Sequence, residues 1–142
     1  PLMIGCQASG AAPFLRGEPI ESPETIATAI RIGRPQSWDL ALAAQKESGG
    51  WFRESSDRDI LKAQKILAEQ EGIFCEPASA VCVAGLMQEL DSETISEGAT
   101  VVCTLTGHGL KDPDCAIEQS ETAINVSGDL DVVRKIIMED ID

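Results

Sequence analysis

The apolar positions of this chain alternate between short continuous runs and helically spaced sets. Residues 2–8, Leu2-Met3-Ile4-Gly5-Cys6-Gln7-Ala8, form an apolar run bounded by small residues, the pattern of a buried strand. Ser9-Gly10-Ala11-Ala12-Pro13 breaks it. In the mixed stretch that follows, Ser22-Pro23-Glu24-Thr25 places a capping residue before a proline at the first helical position, so a short helix is expected over 23–30. Ser37 precedes an alanine- and leucine-filled segment that Gly49-Gly50 stops, a second predicted helix. Trp51-Phe52-Arg53-Glu54-Ser55 reads as a short strand.

Ser56-Asp57-Arg58-Asp59 is a capping-box variant that opens the clearest helix. Its apolar residues Ile60, Ala63 and Leu67 share a face, and Gly72 stands where a C-terminal cap belongs. Glu76-Pro77 begins another helix, to about Leu90, whose residues Val81, Cys82, Val83, Ala84, Leu86 and Met87 are apolar on nearly every side and predict burial. Thr100-Val101-Val102-Cys103-Thr104-Leu105-Thr106 is a β-rich run, expected to be a central parallel strand covered on both faces. From Asp129 the spacing of Leu130, Val133 and Ile137 predicts a last helix with acidic ends.

Strands alternating with helices imply an α/β fold with a parallel sheet. About three strands make a small sheet, with little cover for the apolar helix after Pro77. The expected architecture is an α/β piece, incomplete on its own. The chain also opens on Pro1 directly into its first strand, which suggests that it was cut from something longer.

Charge narrows the partners. With 24 acidic against 11 basic residues the formal net charge is −13, a field that repels nucleic-acid backbones and anionic membrane surfaces. The five cysteines are odd in number and contain no CxxC pair, which points to free thiols in a reducing, cytoplasmic setting. A single histidine and the lack of ligand spacing argue against a metal site.

In open α/β sheets, ligands sit at the C-terminal ends of the parallel strands. Here that end is Thr106-Gly107-His108-Gly109, where glycines admit close backbone approach and Thr106 offers a hydroxyl. The same residues are also consistent with a plain tight turn. The motif lacks the glycine pattern of a phosphate loop. His108 reads as a general base or as a turn histidine, and Lys111 as a Schiff-base lysine or as a solvated lysine beside Asp112. Glu76 reads as a partner of the helix dipole or as a ligand contact.

Three blocks taken in order carry a resemblance: Ala27-Thr28-Ala29-Ile30-Arg31-Ile32-Gly33-Arg34-Pro35-Gln36-Ser37-Trp38, Gly72-Ile73-Phe74-Cys75-Glu76-Pro77-Ala78-Ser79-Ala80, and Leu105-Thr106-Gly107-His108-Gly109-Leu110-Lys111-Asp112-Pro113. Together they resemble the threonine synthases, pyridoxal-phosphate enzymes that convert O-phosphohomoserine and water to threonine and phosphate. Threonine dehydratase is similar in the Glu-Pro-Ala element but lacks the long first block and the Gly-Leu-Lys-Asp-Pro ending.

The resemblance implies a parallel-sheet, three-layer domain of the tryptophan synthase beta-like fold, with residues 1–142 its C-terminal portion. It implies pyridoxal 5'-phosphate as cofactor, with Thr106 bonding the ring nitrogen, Ala29 packing on the ring face and Glu76 lining the same cavity. The family's Schiff-base lysine motif, its substrate-carboxylate loop and its glycine-rich phosphate loop are absent here, so no catalytic residue is assigned and the chain alone is expected to be inactive. Its implied partners are the small substrate O-phosphohomoserine and an N-terminal part of the same protein; self-association into a homo-oligomer is left open. Two other readings stand beside this one, a non-catalytic assembly module pairing in trans and a complete small domain using Lys111.

Overall fold

The structure, a computed structural model, describes residues 1–120 and 124–139. Strands β1 (Gly5–Ala8) and β2 (Phe52–Ser55) pair in parallel, in the register Gly5 to Phe52 through Ala8 to Ser55. Helix α1 (Pro13–Arg16) and helix α2 (Trp38–Ser48) lie between them in sequence, and α3 (Asp57–Glu71) and α4 (Pro77–Asp91) follow. Two shorter helices, α5 (Pro113–Gln119) and α6 (Leu130–Glu139), come last.

The helix boundaries follow the local chemistry. Ser56 Oγ accepts from the Asp59 amide at 3.2 Å and donates to Asp59 Oδ2 at 2.7 Å, closing the expected cap of α3. Gly49 and Gly72 end α2 and α3 at φ of 72° and 65°, a conformation that side chains resist. Ser37 occupies the N-cap of α2, but its hydroxyl makes no capping bond.

The core is built from small side chains. Ala8, Ala27, Ile60, Ala63, Leu67, Cys75, Ala80, Val81 and Ala84 form one buried cluster in which α3 and α4 pack together and α4 lies against both strands. Alanines on the facing surfaces let the helices approach closely, and Ile60 fills the centre, burial worth about 1.5–3 kcal/mol. Gly85 serves the same approach, because a Cβ there would stand 2.7 Å from Cys6 Sγ on β1.

Three expectations need correction. Residues 23–30 do not form a helix: the Glu24 amide bonds Gly10 O, the Ile26 amide bonds Asp57 Oδ2 and the Ala27 amide bonds Thr25 Oγ1, so those donors are committed elsewhere. Only a 3-10 turn, Thr28–Ile30, remains. The run 100–106 is not a strand, so the described sheet has two strands where about three were expected. Its side chains suit an extended backbone, but it lies along α4, with Cys82 Sγ facing Thr104 O at 3.8 Å, and Val102 is 85% exposed. Helix α4 is buried on one side only; Val83, Leu86 and Met87 are half-buried and Leu90 is exposed. Helix α6 forms where its spacing predicts, capped by Asp129 Oδ1 on the amides of Asp131 and Val132, with Leu130 and Ile137 exposed.

Candidate functional site

The first turn of α4 holds the Thr106-Gly107 turn through its backbone and one hydroxyl. The Glu76 amide donates to Gly107 O at 3.1 Å, and the Gly107 amide donates to Ser79 Oγ at 2.8 Å. Both polar groups of Gly107 are therefore satisfied by residues 76 and 79. A side chain at Gly107 would displace the Glu76 side chain, because a Cβ would land on its carboxylate. The Gly109 amide bonds Phe74 O, and the Phe74 ring covers Gly109 so closely that a side chain there would collide with it.

A second segment is brought to the same corner. Asp57, at the first position of α3, accepts from Thr25 Oγ1 at 2.5 Å and from the Ile26 amide at 3.1 Å, which fixes the chain ahead of the 3-10 turn that carries Ala29. Thr28 Oγ1 then donates to Asp112 Oδ2 at 2.9 Å, tying this turn to the loop that follows Thr106. The turn also packs on α4. Two chain segments separated by 84 residues at this bond thus flank the start of one helix.

Of the residues singled out from the sequence, Thr106 and Ala29 are both exposed, while Glu76 is 4% exposed. Glu76 is the N-cap of α4 but makes no capping bond with its side chain. His108 acts as a turn histidine, Nδ1 accepting from the Leu110 amide at 3.2 Å and the ring edge-on to Phe74. Lys111 is exposed, and its neighbour Asp112 is engaged by Thr28.

The cysteines are all free thiols. Cys6 and Cys82 are pushed up to about 11 and about 12, first by burial and then by the neighbouring Cys103. Burial also raises Cys75 and Cys115. Among the described residues no group of three or more His, Cys, Asp or Glu could hold a metal, and no helix is long and apolar enough to cross a membrane.

Three contributors to this corner are not evident from local pattern. Ser79 is legible only as part of a motif. Asp57 reads as a cap residue, although a carboxylate at a helix start is equally free to bond a loop. Helix α5, announced by the Asp112-Pro113 pair at its start, is too short for periodicity to show, and with it goes the Thr28–Asp112 bond.

Residues 1–107 match the family model of pyridoxal-phosphate dependent enzymes. The chain is 55% identical over 137 residues to a threonine synthase of Synechocystis, covering 95% of this chain and 35% of that protein. It is 51% identical over 137 residues to a threonine synthase of Mycobacterium tuberculosis, at 96% and 38% coverage. It is 46% identical over 147 residues to one of Methanocaldococcus jannaschii, at 98% and 36%. The chain spans little more than a third of the length of these relatives. Maize serine racemase shares the fold at a TM-score of 0.61 and 19% identity, over 82% of this chain and 37% of that one. A threonine deaminase from T.th. does so at 0.52 and 18%, over 64% and 31%. A family match across most of the chain, on a fold that places Thr106, Glu76 and the turn of Ala29 around the start of one helix, shows that the chain belongs to the pyridoxal-phosphate dependent enzymes.

Proposed function

We propose that this chain forms one wall of the cofactor site of a threonine synthase, the lyase that converts O-phosphohomoserine and water to threonine and phosphate. The observation that carries the reading is that Thr106-Gly107 is held by Glu76 and Ser79 at the start of α4 while the 3-10 turn of Ala29 packs on the same helix, in a chain 55% identical to the Synechocystis enzyme.

The residues fit the cofactor. Thr106 and Ala29 are exposed while the backbone of the turn between Thr106 and His108 is internally satisfied, so their side chains are left for a ligand. When bound, pyridoxal phosphate supplies the electron sink for chemistry at the substrate's amino-acid carbon. Thr106 offers a neutral hydroxyl to the ring nitrogen, which leaves that nitrogen largely unprotonated and moderates the sink. Ala29 presents only a methyl group, so a flat ring can lie against it. Glu76 places a buried carboxylate behind the turn, beside Gly107.

The chain carries no residue assigned to the Schiff base, so the N-terminal part supplies it and the chain alone is inactive. That part also covers the exposed Val101 and Val102. Phosphate release from O-phosphohomoserine, with added pyridoxal phosphate, tests this. The expected result is silence from the chain alone and activity once the N-terminal part is added. Activity from the chain alone would overturn the division of labour and direct attention to Lys111. Silence in both arms, with both parts folded, would overturn the assignment to this reaction.

A further inference from the structure

Ser79 is 2% exposed, yet its hydroxyl faces three polar atoms of the Thr106-Gly107 turn. It accepts from the Gly107 amide at 2.8 Å, and stands 3.3 Å from Gly107 O and 3.4 Å from Thr106 Oγ1. A serine hydroxyl has a single proton. Its own proton goes either to Gly107 O, with Thr106 Oγ1 then donating to Ser79, or to Thr106 Oγ1. Gly107 O is already served by the Glu76 amide, whereas no other group among the described residues donates to Thr106 Oγ1.

We propose that Ser79 is a positioning residue for Thr106: the chain Gly107 N–H to Ser79 Oγ–H to Thr106 Oγ1 turns the threonine's own proton outward and presents Thr106 as a donor. The inference rests on the reading of Thr106 as the partner of the cofactor's ring nitrogen, and it adds a direction to that bond. A proton held outward from behind favours an acceptor in front, an unprotonated nitrogen. The 3.4 Å between the two hydroxyls is longer than a formed O–H···O bond, and an acceptor that takes the threonine proton favours closing it, since hydrogen bonds in a chain polarise one another. Ser79 itself touches no ligand.

A double-mutant cycle on the complete enzyme separates this role from mere support of the turn. Ser79→Ala, Thr106→Val and the double variant are compared for pyridoxal-phosphate affinity by absorbance titration, and for exchange of the Gly107 amide in the cofactor-free protein. Ser79→Ala is expected to weaken the cofactor by about three- to tenfold and to speed Gly107 exchange, and Ser79→Thr, which keeps the hydroxyl, to restore both. In the Thr106→Val background, Ser79→Ala should weaken the cofactor little further, because the relay has lost its terminus. Full additivity, or an unchanged affinity in Ser79→Ala, would overturn the role of Ser79 while leaving the cofactor reading intact. Failure of the unsubstituted enzyme to bind pyridoxal phosphate would overturn the cofactor reading itself, and the relay with it.

Discussion

Glu89 is a carboxylate only 2% exposed near the end of α4, and its replacement should be among the costliest single changes in this chain. The Trp51 indole donates to its Oε1 at 2.7 Å, and Arg53 Nε lies 3.4 Å from the same oxygen. Glu89→Ala removes the acceptor and leaves a half-buried indole N–H without a partner. A hydrogen bond to a charged group contributes about 1.5–3 kcal/mol, and lost packing adds to this, so a loss of about 3 kcal/mol is expected. Glu89→Gln keeps an oxygen for Trp51 and gives up only the charge opposite Arg53. That arginine is 36% exposed, so solvent screens the pair and the loss should stay under about 1 kcal/mol. Urea unfolding followed by tryptophan emission reads both, and Trp51 is itself a reporter of the bond. Equal losses in the two variants would refute the reasoning by assigning the weight to charge; a loss under about 0.5 kcal/mol in Glu89→Ala would deny Glu89 any structural role.

Gly107→Ala should cost about 1–3 kcal/mol by driving a methyl into the Glu76 carboxylate, and adding Glu76→Ala should recover part of the loss in a thermal melt. Asp57→Ala removes the acceptor of Thr25 and Ile26 and should loosen the Ala29 turn, read as an about two- to fivefold weaker pyridoxal-phosphate affinity of the complete enzyme, with Ser56→Ala, which leaves that loop untouched, as the control. Thr106→Asp in the reassembled enzyme should protonate the ring nitrogen and divert product toward deamination; an unchanged ratio of threonine to keto acid contradicts this. The raised thiols give an alkaline limit: Cys6 and Cys82 stay neutral in the fold up to about 11 and about 12 whereas an unfolded thiol titrates near 9.0, so stability is full below about pH 9 and falls as pH rises through those values. Comparing urea midpoints at about pH 8 and about pH 10.5, Cys6→Ala with Cys82→Ala should flatten that fall.

Elements whose determinants are local were legible from the residues. The Ser56 cap, the Ile60, Ala63, Leu67 face and the Gly72 stop are all encoded within one helix, and α3 forms as they dictate. The run 100–106 failed for the complementary reason. Its Val, Thr and Cys side chains record an environment with a neighbour on each side, but a strand exists only where another backbone meets its hydrogen bonds. The segment 23–30 failed because Asp57, 31 residues on from Ile26, captures part of its polar groups. Ser22-Pro23 is a sound helix start that loses to a tertiary bond. Of the proposed site residues, Thr106 and Glu76 stand in motifs that local reading could single out, but Ala29 is proposed only through resemblance. Its usefulness depends on bonds made by Thr25, Thr28, Asp57 and Asp112, none of which leaves a periodic signature.

These long-range bonds share one body, α4. Its first turn grips the Thr106-Gly107 peptide, its middle admits β1 at Gly85, and its last turns hold β2 through Gln88 and Glu89 on Arg53, Ser55 and Trp51. Immediately after β2, Asp57 fixes the loop that leads to Ala29. The Thr106 hydroxyl and the Ala29 methyl group of the proposed site are therefore referenced to the same two strands by two routes, one through the helix and one through the strand end. A ring held between them needs both surfaces at a set separation, and a rigid helix docked along a parallel pair supplies that more accurately than two loops alone could. This accounts for the buried polar groups along α4, Glu76, Ser79 and Glu89, beside Thr25, Ser55 and Gln64 elsewhere in the core. Each costs desolvation, and Ser79 and Glu89 hold the turn at one end and the strand at the other.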